Sequence, residues 1–256
     1  MAARLSFRLN DFCEGDENRS NNYPYVLVGV ERKIHKKSLF VLYLCSVCKY
    51  NHSVFSLAGN ERERHLKTMK ELEQRILKDG VGIGSDILKV DSFLNHQLDT
   101  GLIARMGEEF ARLFAGCGAN KILTVEASGI AIAFAAARAM GDIPVVFAKK
   151  ALPNTMEDPY VAKVHSFTKN TDKTIVVSKS YLSGGDRVLI IDDFLAYGSA
   201  GLGLVDIVRQ AGAEVAGFGA AIEKSFQGGA EKLRALGITV HSLAVIASIE
   251  DGNIKF

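Results

Sequence analysis

The chain has 256 residues, 48% hydrophobic and 23% charged, which excludes a disordered or fibrous protein and allows one substantial core. Its net charge of +2 conceals an uneven distribution: residues 1–68 hold eleven Lys/Arg against seven Asp/Glu, leaving twenty and twenty-two for residues 69–256. The larger part is thus mildly acidic and offers no basic face to nucleic acid.

The first 68 residues show no regular hydrophobic period. They contain Cys13, Cys45 and Cys48, whereas residues 69–256 contain only Cys117. A body with a single cysteine has no disulfide framework, which predicts a reducing, cytoplasmic location. Ser38–Cys48 is the longest apolar run, too short for a membrane span and preceded by too many charges for an ordinary signal peptide, so no membrane association is expected. "CSVCKYNH" offers Cys45, Cys48 and His52 as half of a zinc site, with Cys13 and His35 as loose candidates, but a structural site needs a second matched pair.

From Lys70 the pattern becomes periodic. "KELEQRILKDG" has helical spacing of Leu72, Ile76 and Leu77 and stops at Gly80. Asp99 is placed to cap a helix over "TGLIARMGEEFARLFAGCG", with Leu102, Met106, Phe110 and Leu113 as its stripe. "KILTV" (121–125), "GIAIAFAAARAMG" (129–141) and "PVVFAKK" (144–150) form a βαβ unit. "YVAKVHSFTK" and "KTIVVSK" read as a hairpin, with alternation around Val161, Val164 and Phe167, and around Ile175 and Val177. "RVLII" (187–191) is an apolar strand, "GLGLVDIVRQAG" a helix with Leu202, Val205, Ile207 and Val208 inward, and "EVAGFGAAIEK" (214–224) another strand. "GAEKLRALG" and "TVHSLAVIASIE" complete the series. Strands without alternation between helices imply a parallel sheet covered on both faces. Ligands bind at the carboxyl ends of such strands, which puts Glu126–Gly129, Asp192–Ala200 and Lys224 on one rim.

The segment "RVLIIDDFLAYGSAG" (187–201) carries the chemistry. Neither a G-x-G-x-x-G turn after a strand nor a P-loop is found. "LAYGSAG" fits a phosphate cradle, in which small residues let backbone N–H groups converge at a helix start. The helix end itself contributes only about 0.3–2 kcal/mol toward an anion. Asp192 and Asp193, as acceptor-only carboxylates, suit the hydroxyls of a sugar phosphate and hydrated Mg²⁺; the alternative is that they merely cap the following turn.

This stretch resembles the phosphoribosyl pyrophosphate (PRPP) signature of type I phosphoribosyltransferases. "LKVDSFLNHQLD" (88–99) and "AIEKSFQGG" (221–229) resemble the bacterial xanthine-specific subfamily, together with "EASGIA" (126–131), "FAKK" (147–150) and "SFTK" (166–169). The resemblance covers about residues 69–256, leaving 1–68 as an atypical extension. It implies an α/β type I phosphoribosyltransferase fold, a mostly parallel sheet with helices on both faces and a small hood. The implied activity is phosphoribosyl transfer from PRPP to xanthine in purine salvage, giving XMP and pyrophosphate, with guanine as a weaker substrate. Mg²⁺ is expected with PRPP, although no residue is assigned to it directly, and the family is usually dimeric.

The resemblance also implies roles. Ala196, Tyr197, Gly198, Ser199 and Ala200 would hold the 5′-phosphate, and Asp192 and Asp193 the ribose hydroxyls. The family more often has Asn-Gly-Gln where this chain has Tyr197-Gly198-Ser199. That change keeps the backbone donors and puts side-chain contacts in doubt. Glu126, Ala127, Ser128 and Gly129 would form the pyrophosphate loop, helped by Lys149 and Lys150. Read without the resemblance, these are an ordinary βα turn and two solvated lysines.

Lys224 would donate to the purine 6-oxo group, the alternative being a salt bridge to a neighbouring acid. Leu88 and Asn95 match the other xanthine contacts. Asn95 would read the 2-position, so Asn95→Asp is expected to shift preference toward guanine. Without the resemblance, Asn95 reads as a turn or edge residue. No residue of the 151–160 loop is assigned, and Cys117 reads as structural.

A PRPP-sensing transcriptional regulator of the same fold is the competing function. It calls for a winged helix or a basic face that the sequence does not offer. For residues 1–68 two further readings stand: a docking extension, or translated upstream sequence before a native start at Met69. Under the latter, "NERER" (60–64) would come from a purine-rich tract resembling a ribosome-binding site.

Overall fold

The computed structural model describes residues 69–154, 156–166 and 171–256, and the backbone of two short strands before them. The chain divides into two compact units, Met1–Gly59 and Asn60–Phe256. In the first, β1 (Val26–Val28) pairs antiparallel with β2 (Leu42–Leu44). The zinc candidates Cys13, His35, Cys45, Cys48 and His52 and the "NERER" segment lie outside the described residues, as do residues 167–169 of "SFTK".

The second unit begins with helix α1 (Lys70–Asp79), a hairpin of β3 (Val81–Ile83) and β4 (Ile87–Lys89), and a π-helical turn at Asp91–Asn95. Helix α2 (Thr100–Leu113) follows, capped as expected by Asp99, whose side chain accepts from the Leu102 N–H at 3.0 Å. Next come β5 (Lys121–Val125), α3 (Gly129–Ala139), β6 (Val145–Ala148) and the antiparallel hairpin of β7 (Pro159–Ser166) and β8 (Thr171–Ser178). The remainder is β9 (Arg187–Leu195), α4 (Ser199–Gln210), β10 (Glu214–Lys224), α5 (Gly229–Arg234), β11 (Val240–Ile246) and a last hairpin, β12 (Ser248–Glu250) with β13 (Asn253–Lys255).

Five strands form a wholly parallel sheet in the order β11-β10-β9-β5-β6. Successive side chains of a strand point to opposite faces, which explains the unbroken apolar run of β9. Leu189 and Ile191 join the core with α1, α2 and α3, while Val188 and Ile190 join that with α4, α5 and the β7–β8 hairpin. Gly107 lets α2 approach α3 closely, since a Cβ there would lie 2.6 Å from the Ala135 carbonyl oxygen.

Several boundaries differ from the sequence reading. β9 continues through both acids to Leu195, where Asp192 lies beside Ala220 and Leu195 beside Glu223 of β10. The carboxylates therefore sit within a strand extended by its parallel neighbour, not beyond its tip. Helix α2 ends at Leu113, before the glycines, with Phe114 as its C-cap. In α4, Leu204 is fully buried and Leu202 only half-buried; in the hairpin, Val161 is exposed and Ala162 buried. "TVHSLAVIASIE" breaks at Ala247, whose N–H turns to the Lys255 carbonyl at 2.8 Å.

The β3–β4 hairpin and the π-helical turn make the hood. Gly82 sits so close to Gly252 of the β12–β13 turn that a Cβ would come 2.5 Å from the Gly252 carbonyl oxygen.

Candidate active site

The order in which strands are added reverses between β5 and β9: from β5 the chain steps outward to β6, then returns on the other side and continues through β9, β10 and β11. Two loops part at that switch point, which makes the crevice where open α/β sheets bind ligands. One loop is Glu126–Gly129; the other follows Asp192 and Asp193.

Asp192 is buried, and its Oδ1 accepts from the Asp193 N–H at 3.0 Å. Burial, reinforced by the neighbouring Asp193 carboxylate, pushes the Asp192 carboxyl well above the usual carboxylate range. Asp193 is half-buried and accepts from Asn95 Nδ2 at 2.9 Å. The same amide nitrogen lies 3.3 Å from Ser128 Oγ. Gly129 is required here, because a Cβ would stand 2.2 Å from Thr124 Oγ1 and 3.0 Å from Asp192 Oδ1. The Glu126–Ala127 peptide bond is cis, and the Glu126 carboxylate accepts from the Lys150 N–H at 2.6 Å.

Residues 196–200 run from the end of β9 into α4. Gly198 adopts φ +83° as the residue before the helix, a conformation glycine takes without steric cost. The loop rests directly on Gly229: a Cβ there would lie 2.3 Å from the Ala196 carbonyl oxygen and 2.6 Å from the Gly198 nitrogen. Lys232 Nζ donates to the Tyr197 carbonyl at 3.0 Å. Loop and helix start line a cavity of about 520 Å³.

Lys224, the last residue of β10, enters the same cavity. Its ammonium donates to the backbone carbonyl of Asp86 at 2.7 Å and lies 6.0 Å from the Phe194 ring centroid. The alternative, a salt bridge to an acid, is not formed among the described residues. Burial lowers its pKa from the ordinary lysine value.

The residues named from sequence thus divide. Residues 196–200, Lys150 and Lys224 share the cavity, while Asp192, Asp193, Asn95 and Ser128 are linked at the adjoining switch point. Glu126, Ala127 and Gly129 stay in the loop beside Asp192 and outside the cavity lining, and two further residues, Leu88 and Lys149, lie at neither place. Leu88 is buried in the core, and its neighbours Asp86 and Ile87 line the cavity instead. Lys149 bridges in antiparallel fashion to Val176 of β8 and lines a separate depression with Val145, Phe147 and Tyr181. Adjacent residues of an extended segment point oppositely, so only Lys150 is available to the cavity.

No family model matches the chain. It is 53% identical over 189 residues to "Xanthine phosphoribosyltransferase 2" of Clostridium botulinum, covering 73% of this chain and 100% of that protein. The xanthine phosphoribosyltransferase of Heliobacterium modesticaldum is 54% identical over 188 residues, again 73% of this chain and 100% of the relative. The chain belongs to the xanthine phosphoribosyltransferase family.

The solved structures agree in fold. Adenine phosphoribosyltransferase of Giardia lamblia, complexed with 9-deazaadenine, matches with a TM-score of 0.59 at 18% identity over 70% of this chain and 98% of that one. The enzyme of Rhodothermus marinus matches with a TM-score of 0.57 at 23% identity over 69% and 98%. The fold is the type I phosphoribosyltransferase fold.

Among the cavity residues of this xanthine phosphoribosyltransferase family member that the sequence reading gave no role are Asp86, Ile87, Phe194, Gln227, His165 and Lys173. Phe194 and Gln227 lie inside the quoted motifs "IIDDFLA" and "EKSFQ" and could have been found there. Gln227 is only 8% exposed and its Oε1 has no hydrogen-bond partner among the described residues. His165 and Lys173 come from the hairpin, where His165 pairs with Asp172 at 2.8 Å. No spacing in the sequence relates them to the 196–200 loop.

Proposed function

We propose that this protein transfers the 5-phosphoribosyl group of PRPP to xanthine, forming XMP and releasing pyrophosphate. The observation that carries the reading is the meeting, in one cavity, of the Lys224 ammonium and the 196–200 loop, within a chain whose relatives are named xanthine phosphoribosyltransferases. An ammonium is donor-only and suits the 6-oxo group of the base. The loop N–H groups suit the 5′-phosphate. A PRPP-sensing regulator finds no support from these relatives.

In this reading a purine nitrogen forms a bond to the ribose anomeric carbon as the bond from that carbon to the pyrophosphate oxygen breaks, and the proton of that purine nitrogen passes to solvent water. Positive charge grows on the ribose and negative charge on the leaving group, so catalysis is positioning plus electrostatics, with no covalent nucleophile. Ala196–Ala200 fix the phosphate, Asp192 and Asp193 face the ribose hydroxyls, and Glu126–Gly129 with Lys150 meet the pyrophosphate. Lys224 and the apolar sides of Phe194 and Ile87 orient the base.

Mg²⁺ enters as part of the PRPP complex. Mg²⁺ prefers phosphate oxygens and water, so PRPP itself would supply most of its ligands. Its chemistry is to neutralise charge on pyrophosphate. A homodimer and a cytoplasmic location belong to the same proposal, the first tested by light scattering. Among the described residues, no helix is long and apolar enough to cross a membrane.

Release of pyrophosphate from PRPP and Mg²⁺ should depend on xanthine, with guanine giving a lower kcat/KM, by as much as ~10⁴-fold, the scale on which hydrogen-bonded sites discriminate. Equal release with adenine, or none with xanthine, would refute the reading.

A further inference from the structure

Asn95 is the base-reading candidate, yet its amide nitrogen is engaged elsewhere. It donates to Asp193 Oδ2 at 2.9 Å and to Ser128 Oγ at 3.3 Å. The three residues come from three separate segments: the π-helical turn of the hood, the extended end of β9, and the loop after β5. All the structure shows of the Asn95 amide nitrogen thus concerns the groups that would hold PRPP.

We infer that Asn95 is a positioning residue for PRPP: its amide fixes the Asp193 carboxylate and the Ser128 hydroxyl, tying the hood to the ribose and pyrophosphate contacts. This rests on the proposed roles of Asp193 and the 126–129 loop. The argument is electrostatic. Asp193 stands next to buried Asp192, and two adjacent carboxylates repel unless donors meet them. The Asp193 carboxylate meets the Asp192 carboxyl on one side, a side-chain contact that helps to raise the Asp192 pKa, and on the other the Asn95 amide, which donates to its Oδ2 at 2.9 Å. That bond sets which way the carboxylate faces before any sugar arrives, leaving its other lone pairs for a hydroxyl. An amide has two N–H bonds and one oxygen, so with both N–H bonds given to Asp193 and Ser128 the Asn95 oxygen is left to accept from a ring N–H of the base and cannot donate to the 2-oxo group of xanthine.

The test is PRPP binding with Mg²⁺ and no xanthine, by calorimetry, on the full chain. Asn95→Ala should weaken PRPP about 10-fold, the scale of a hydrogen bond to a charged group. Asn95→Asp puts a third carboxylate against Asp193. It should weaken PRPP further, and the affinity should recover as pH falls toward the carboxylate range, ~4–5. In a cycle with Asp193→Asn, the double variant should lose clearly less than the product of the two single losses, because both remove one bond. Asn95 is exposed, so neither substitution is expected to disturb folding.

Unchanged PRPP affinity in Asn95→Ala, or multiplicative losses in the cycle, would overturn the inference and leave Asn95 as a reader of the base alone. A wild-type protein that fails to bind PRPP would overturn the functional reading instead.

Discussion

Asp192 concentrates a conflict between stability and function. Its carboxyl is buried against Asp193 and held well above the usual range, so the folded chain binds the proton more tightly than the unfolded chain. The stability this contributes is complete at pH values below the unfolded pKa of about 3.9 and is lost as pH rises through the raised folded value. Well above the unfolded value the buried Asp192 carboxyl is therefore a cost, of a kind common at functional sites. Asp192→Asn keeps the acceptor for the Asp193 N–H and removes the charge. It should raise stability at pH 7 by about 1 kcal/mol, or about 2–4 °C in Tm, while sharply lowering transferase activity. The gain should shrink in melts at acid pH, where the wild-type carboxyl is neutral too; a lower Tm at pH 7 would contradict the burial argument.

The proposed phosphate cradle, Ala196–Ala200, depends on an element that contributes none of its five residues. Gly229 opens α5, and its missing side chain is what allows the Ala196 carbonyl and the Gly198 nitrogen to settle against it. In Gly229→Ala the new methyl would meet backbone at 2.3 and 2.6 Å, well inside contact distance, so the loop must move. The expected result is a rise of at least about 10-fold in KM for PRPP, since a misplacement of about 1 Å costs as much as 10²-fold. Unchanged kinetics for PRPP would show that the loop is not held from below.

Much of this arrangement was legible in the sequence. The acids, the small-residue loop and Lys224 lie in contiguous motifs, and the switch of hydrophobic period marked the parallel sheet. Contacts that join distant segments were not. That Gly229 backs Gly198, that Asn95 reaches Asp193, and that Lys149 turns away from Lys150 all depend on tertiary approach. So does the extension of β9 past Ile191, which is paired by β10 rather than dictated by its own residues.

At the scale of the molecule, the question is what residues 1–68 do for catalysis. The relatives are matched over their whole length by 73% of this chain, and every residue given a role here lies beyond Met69. The Met69 N–H already donates to the Leu243 carbonyl of β11 at 2.6 Å, so the catalytic unit is anchored to its central sheet from that residue on. A protein comprising residues 69–256 is therefore expected to fold alone, with Tm within about 2–4 °C of the full chain, the equivalent of about 1 kcal/mol, and with kcat/KM for xanthine and PRPP unchanged within roughly twofold, under 0.5 kcal/mol. A tenfold loss in either constant would show that the extension supports the site, and would favour a docking role. Intact-mass measurement of the product of the native gene addresses the remaining alternative, since a protein that retains residues 1–68 refutes a start at Met69.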